Sequence, residues 1–113
     1  MSQFIDASGA FPLQATAQEA LVVADTALGP TATVITIPQS GGFRKRAKAA
    51  LISVETQTVR LRFDGGTPTS SVGHLLATGD FVLVRGEDNV ARILLIRATG
   101  SSGAATLTYF YDI

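Results

Sequence analysis

The stretch VRLRFDGGTPTSSVGHLLATGD, Val59 to Asp80, decides how the chain is read. It opens on Val59-Arg60-Leu61-Arg62-Phe63, where apolar and basic residues alternate. A period of two puts Val59, Leu61 and Phe63 on one face of a strand and Arg60 and Arg62 on the other. The apolar face belongs in a core, and the arginine face meets water or a partner's carboxylates. Asp64-Gly65-Gly66 and Thr78-Gly79-Asp80 have turn chemistry. Between them a polar loop, Thr67 to Ser71, leads into Val72-Gly73-His74-Leu75-Leu76, which is expected to dock onto the body.

Working outward, strand-like segments recur about every ten residues, divided by Gly, Pro and Ser turns. Toward the N-terminus, Ala49 to Glu55 precedes the tight connection Thr56-Gln57. Before it, Ala20 to Ala24 and the β-branched Thr31 to Ile37 are two further strands, closed by Pro38, and a short link through Gly29-Pro30 makes them a candidate hairpin. Toward the C-terminus, Phe81 to Val84 is continuously apolar, as in a strand covered on both sides. Val90 to Arg97 reads as a long strand. A helix competes there, because Val90, Ile93, Leu94 and Arg97 also fit a 3.6 period, but the branched residues and flanking turns favour strand. Ala105 to Ile113 is the last strand, with Leu107, Tyr109 and Tyr111 on one face and Thr106, Thr108 and Phe110 on the other. The fold class that follows is all-β, one antiparallel β-sandwich of seven or eight strands over residues 17–113, with a closed barrel as the alternative. Residues 1–16 read as an extended N-terminal arm. Its Phe4, Ile5, Phe11 and Leu13 argue for docking on the domain itself or on a neighbour rather than for a disordered terminus.

Composition narrows the function classes. The chain has 113 residues, 46% hydrophobic and 16% charged, against about 25% charged in an average soluble domain. Nine basic residues balance nine acidic ones. Neutrality gives no general attraction to nucleic acid or to an anionic membrane, and no self-repulsion to oppose association. With no cysteine, disulfides and thiolate metal sites are excluded. The first residues have neither the basic head nor the apolar core of a signal peptide, and no run is long enough to span a bilayer.

No catalytic constellation stands out, and neither a cofactor nor a metal is expected. His74 is the only histidine. In its apolar setting it reads as a structural residue bonding a backbone carbonyl rather than a metal ligand or base. The Asp-Gly pairs lack the alternating carboxylates of an EF-hand. No acidic pair is singled out for glycoside cleavage, and the Gly-rich pieces do not open helices as phosphate loops do. The run Phe43-Arg44-Lys45-Arg46-Ala47-Lys48 is basic enough to contact phosphate, but a nucleic-acid interface asks for a wider field and stacking aromatics. A solvated strand start, or salt bridges to an adjacent subunit, is the simpler reading. Tyr109, Phe110 and Tyr111 offer either core and subunit contact or a sugar-stacking platform.

From about Ala47 to Asp112 the chain resembles a group of small proteins from the structural gene modules of tailed bacteriophages. The residues that carry the resemblance are Arg60 and Arg62, Asp64-Gly65, Thr67-Pro68-Thr69, Val72 to Leu76, Gly79-Asp80 and Thr106 to Tyr111. The N-terminal third aligns with nothing in that group. The resemblance implies a non-enzymatic virion component, a β-sandwich present in many copies as a homo-oligomer and assembled in the host cytoplasm. Capsid decoration is favoured, with neck, collar and tail positions open, so the expected partners are a second copy and the major capsid, neck or tail protein. Contacts are expected from Phe4, Ile5, Phe11, Leu13, Arg44, Lys45, Arg46, Arg60, Arg62, Tyr109 and Tyr111. A carbohydrate-binding module using Tyr109, Tyr111 or the Thr67–Ser71 loop is the competing class. A small hydrolase is the least supported.

Overall fold

The computed structural model describes residues 13–31, 36–38 and 44–112. In chain order the elements are β1 (Leu13–Val23), β2 (Thr36–Pro38), β3 (Arg44–Arg46), β4 (Ala49–Thr56), β5 (Val59–Arg62), β6 (His74–Leu76), β7 (Phe81–Arg85), α1 (Glu87–Ala91), β8 (Leu94–Arg97) and β9 (Gly103–Asp112). Seven strands form two antiparallel sheets, ordered β1-β9-β4-β7 and β6-β5-β8, and β2 pairs with β3 in a short ribbon. The expected all-β sandwich is what the chain forms.

The core follows from alternation. On β4, Ala50, Ile52 and Val54 turn inward; on β9, Ala105, Leu107, Tyr109 and Tyr111 do; from the second sheet come Val59, Leu61 and Leu95. All are at most 2% exposed and form one cluster. Fully burying a large aliphatic or aromatic side chain stabilises by about 1.5–3 kcal/mol, so this cluster holds the layers together without staples.

Two corners join the sheets. At the first, β4 runs into β5 through Gln57, which sits in the left-handed region at φ 59°. Gly103 packs on that corner, where a Cβ would lie 2.6 Å from the Thr56 carbonyl oxygen. At the second, the chain leaves β1 and crosses to the three-stranded sheet. The Arg97 N–H donates to the Ala24 carbonyl at 2.9 Å, and Leu28 and Leu95 exchange backbone bonds of 3.0 and 2.8 Å.

Several expectations are corrected. The first strand begins at Leu13, and its partner is the C-terminal strand β9, from Leu13 opposite Asp112 to Val23 opposite Gly103. The Gly29-Pro30 hairpin does not form, since Leu28 bridges Leu95 instead. Of the strand expected over 31–37, residues 36–37 lie in β2 and residues 32–35 fall outside the described residues. The long strand over 90–97 is divided. Val90 and Ile93, three apart, are both buried, and they follow the helical period through α1 and the turn after it; only 94–97 are strand. β7 is not covered on both sides but is a sheet edge, with Phe81, Val82 and Leu83 half-buried.

Candidate functional site

The side chains of the four-stranded sheet that do not enter the core make its outer face. The register aligns them in rows across all four strands: Gln18, Thr108, Leu51 and Leu83 in one, and Ala20, Thr106, Ser53 and Phe81 in the next. Neither row contains a charge. Val22, at the β1 edge, is 69% exposed. The strands read this way because β4 and β7 carry apolar residues at both parities, so one set fills the core and a second set is left over. Among the described residues no second layer of strand or helix pairs with this face.

Charge is confined to the two ends of the sheet. One end holds Asp25 after β1, Glu55 on β4 and Asp80 before β7. The Glu55 carboxylate lies beside the outer rows, accepting a bond from the Ser53 hydroxyl at 2.9 Å. Asp80 accepts from the Ala77 N–H at 2.8 Å. The other end holds Arg85 and, next to it, Arg46 and Lys48. Arg46 reaches Glu87 at 3.3 Å and Asp88 at 3.8 Å, and Lys48 reaches Glu87 at 2.6 Å. The hydrogen bond from Lys48 holds the Glu87 carboxyl below its ordinary range. β3, with the sequence Arg44-Lys45-Arg46, leads into this same end.

The expected contact residues fare unevenly. Phe4, Ile5 and Phe11 lie outside the described residues. Leu13 opens β1, and Arg44 and Lys45 stand opposite Pro38 and Ile37 in the ribbon. Arg60 and Arg62 each bind their own chain. Arg60 donates to the carbonyls of Ser70, at 3.3 Å, and Gly73, at 3.1 Å, so it clamps the 67–73 loop over the second sheet. Arg62 forks onto Asp64 at 3.0 and 2.8 Å. That pairing, with a bond from the Gly66 N–H, pulls the Asp64 carboxyl well below the usual range and raises Arg62.

Of the roles expected of Tyr109 and Tyr111, the core one is what the structure shows. Both are fully buried, so neither presents a contact surface or a sugar platform. The Tyr109 hydroxyl donates to the Glu19 carboxylate, which points inward from β1 and also accepts from the Thr31 N–H at 3.3 Å. Burial first, and then the bond to Glu19, push the Tyr109 phenol far above its ordinary value; burial and the Glu19 charge raise Tyr111 too. An inward carboxylate on an edge strand also discourages indiscriminate edge pairing.

His74 is corrected as well. It is exposed and stacks on Phe63, with ring centroids 5.9 Å apart and planes at 23°. The Val72–Leu76 segment docks only in part, leaving Val72 49% and Leu75 55% exposed. Phe63, His74, Leu76 and Val82 line an open cleft of about 360 Å³ where the β6 and β7 edges face each other. Thr69 and Ser70, from the loop considered for sugar binding, line a separate open cavity of about 450 Å³ with Asp25, Arg97 and Thr99; no aromatic lines it.

Among the described residues no three His, Cys, Asp or Glu side chains are grouped to hold a metal ion, and no helix is long and apolar enough to cross a membrane. The sequence reading missed Leu51, Phe81 and Leu83 as half-buried residues of an outer face, because an apolar residue in an alternating strand is ordinarily assigned to the core. No protein-family model matches the chain, and comparisons with curated proteins and with solved structures also gave no match.

Proposed function

We propose that this chain is a non-enzymatic structural component of a tailed-phage particle, of the capsid-decoration kind, that works in many copies by packing against other protein chains. The observation that carries the reading is the charge-free outer face of the four-stranded sheet, with Leu51, Phe81 and Leu83 aligned across it and charge held to its two ends. A face of this kind gains little from water and much from a protein surface, while end charges set register and reject wrong partners. Arg60 and Arg62, spent on the chain's own loop, make a rigid body rather than a binding groove. The resemblance over residues 47–112 supplies the virion context. Many weak contacts made by many copies add through multivalency.

The test is quantitative mass spectrometry of purified particles from the locus that encodes the chain. Decoration predicts a copy number matching the capsid lattice. A small ring-like number moves the chain to the neck or tail. Absence from the particle overturns the proposal.

A further inference from the structure

The outer face has a property that bears on its partner: it is bipolar. Glu55 and Asp80 stand at one end of the strands and Arg85 at the other, where Arg46 and Lys48 are engaged by Glu87 and Asp88; Asp25 lies off this face, lining the cavity with Arg97. From Ala49, which pairs with Arg85, to Glu55 is six residues, roughly 20 Å of strand. Among the described residues, the side chains on the outer face between these ends are uncharged.

We infer that the occupant of this face is a second copy of the same chain, docked face to face about a twofold axis that lies in the interface plane, runs across the strands and passes near Leu51 and Leu83. The inference rests on the assembly reading above and names its partner. A twofold axis there reverses the strand direction of the partner. It sets the acidic end of each copy against the basic end of the other, so Glu55 of one meets Arg85 of its mate twice over. The parallel alternative stacks like charges at both ends. A homodimer is the occupant for which this complementarity is guaranteed by the sequence itself, because an isologous interface uses one patch twice. The zero net charge of the chain leaves no long-range repulsion to oppose it.

Size sets the strength. Four strands about 4.8 Å apart and roughly 20 Å long give a projected footprint of about 400 Å². Side-chain relief raises the surface buried per copy toward, but not beyond, the ~800 Å² of a standard interface. The dimer therefore belongs to the weak class, with dissociation in the micromolar range, and becomes permanent only when copies are held side by side. Leu51, Phe81 and Leu83 form its dry centre, and Val22 lies at its β1 edge. Ser53, Thr106 and Thr108 add hydroxyls that can bond across it.

The test is sedimentation equilibrium of the full chain over a wide concentration range, with three kinds of variant. Wild type is expected to show a reversible monomer–dimer equilibrium. Leu51→Glu and, independently, Ser53→Arg put a charge at the centre; each is expected to weaken dimerisation at least tenfold while circular dichroism and melting temperature stay at the wild-type values. Arg85→Glu alone is expected to weaken it roughly fivefold, and Glu55→Arg combined with Arg85→Glu to restore it. A chain that stays monomeric at all concentrations overturns the inference, as does a dimer indifferent to both Leu51→Glu and Ser53→Arg. Failure of the double charge swap to restore association overturns the antiparallel arrangement. A strict monomer found in many copies on particles removes the pairing and leaves the virion reading; a dimer with these sensitivities, from a chain absent from particles, does the reverse.

Discussion

Raising the pH tests the core directly, because the chain has two tyrosines and both are buried on the inner face of β9. In an unfolded chain each phenol ionises near pH 10. In the folded chain burial, and for Tyr109 the bond to Glu19, hold the phenols protonated well above that value. Ionising Tyr109 in place would set a buried phenolate against the Glu19 carboxylate. The folded state therefore keeps protons that the unfolded state releases. Stability from this source is fully present below about pH 10 and falls as pH rises above it. Each withheld proton costs about 1.4 kcal/mol per pH unit, so Tyr109 alone removes roughly 2–3 kcal/mol between about pH 10 and 12, and Tyr111 adds to the loss in the same direction. That is a sizeable fraction of the stability of a small domain, about 5–15 kcal/mol. Tyrosinate absorbance and far-ultraviolet circular dichroism, followed together on one pH titration, should change in one cooperative step lying above pH 10. Tyr109→Phe should remove the larger part of the dependence of stability on pH in this range. Tyrosinate appearing with a midpoint near 10 while the strand signal is intact would refute the burial of these rings and the placement of β9.

Other consequences follow from neighbouring residues on opposite faces and from the corners. Ile52→Ala, inside the core, should cost about 2–5 kcal/mol by chemical denaturation, whereas Leu51→Ala, one residue away on the outer face, should cost the monomer under about 1 kcal/mol; equal losses would place both faces in a core. Gly29→Ala would push a Cβ against the Ile93 carbonyl oxygen and should lower stability by about 1–3 kcal/mol, read by thermal melting. Gln57→Gly relieves a left-handed residue at the first corner and should raise stability by about 0.5–1 kcal/mol. Arg60→Ala frees the 67–73 loop from its clamp and should speed proteolysis within it several-fold, with the rest of the chain still resistant.

The strands of the sandwich were legible wherever a period of two was unbroken. β4, β5 and β9 appear close to where the alternation in Ala49–Glu55, Val59–Phe63 and Ala105–Ile113 puts them. Pairing was far less so. β1 lies against β9, from Leu13 opposite Asp112 onward, and no local signal links residues so far apart. Parity was read but not its direction. β9 carries Tyr109 and Tyr111 on one side and Phe110 on the other, and only the stacking of the second sheet decides which set is buried. The segment after Gly86 is too short for a helical period to declare itself, so α1 was absorbed into a strand. The arginines of β5 were seen as one face, but their partners come from a loop that folds back on them, and local spacing does not encode that return. The outer face was hidden for the opposite reason: Leu51, Phe81 and Leu83 look like core, and only the absence of a covering layer among the described residues sets them apart.

Hydroxyl-radical footprinting of the chain free at low concentration and in the intact particle tests the central claim most directly. Packing through the outer face of the four-stranded sheet predicts that Leu51, Phe81 and Leu83 lose reactivity on assembly, while exposed Val72 and His74 on the other sheet change little. Unchanged reactivity at Leu51, Phe81 and Leu83 in the particle would contradict it.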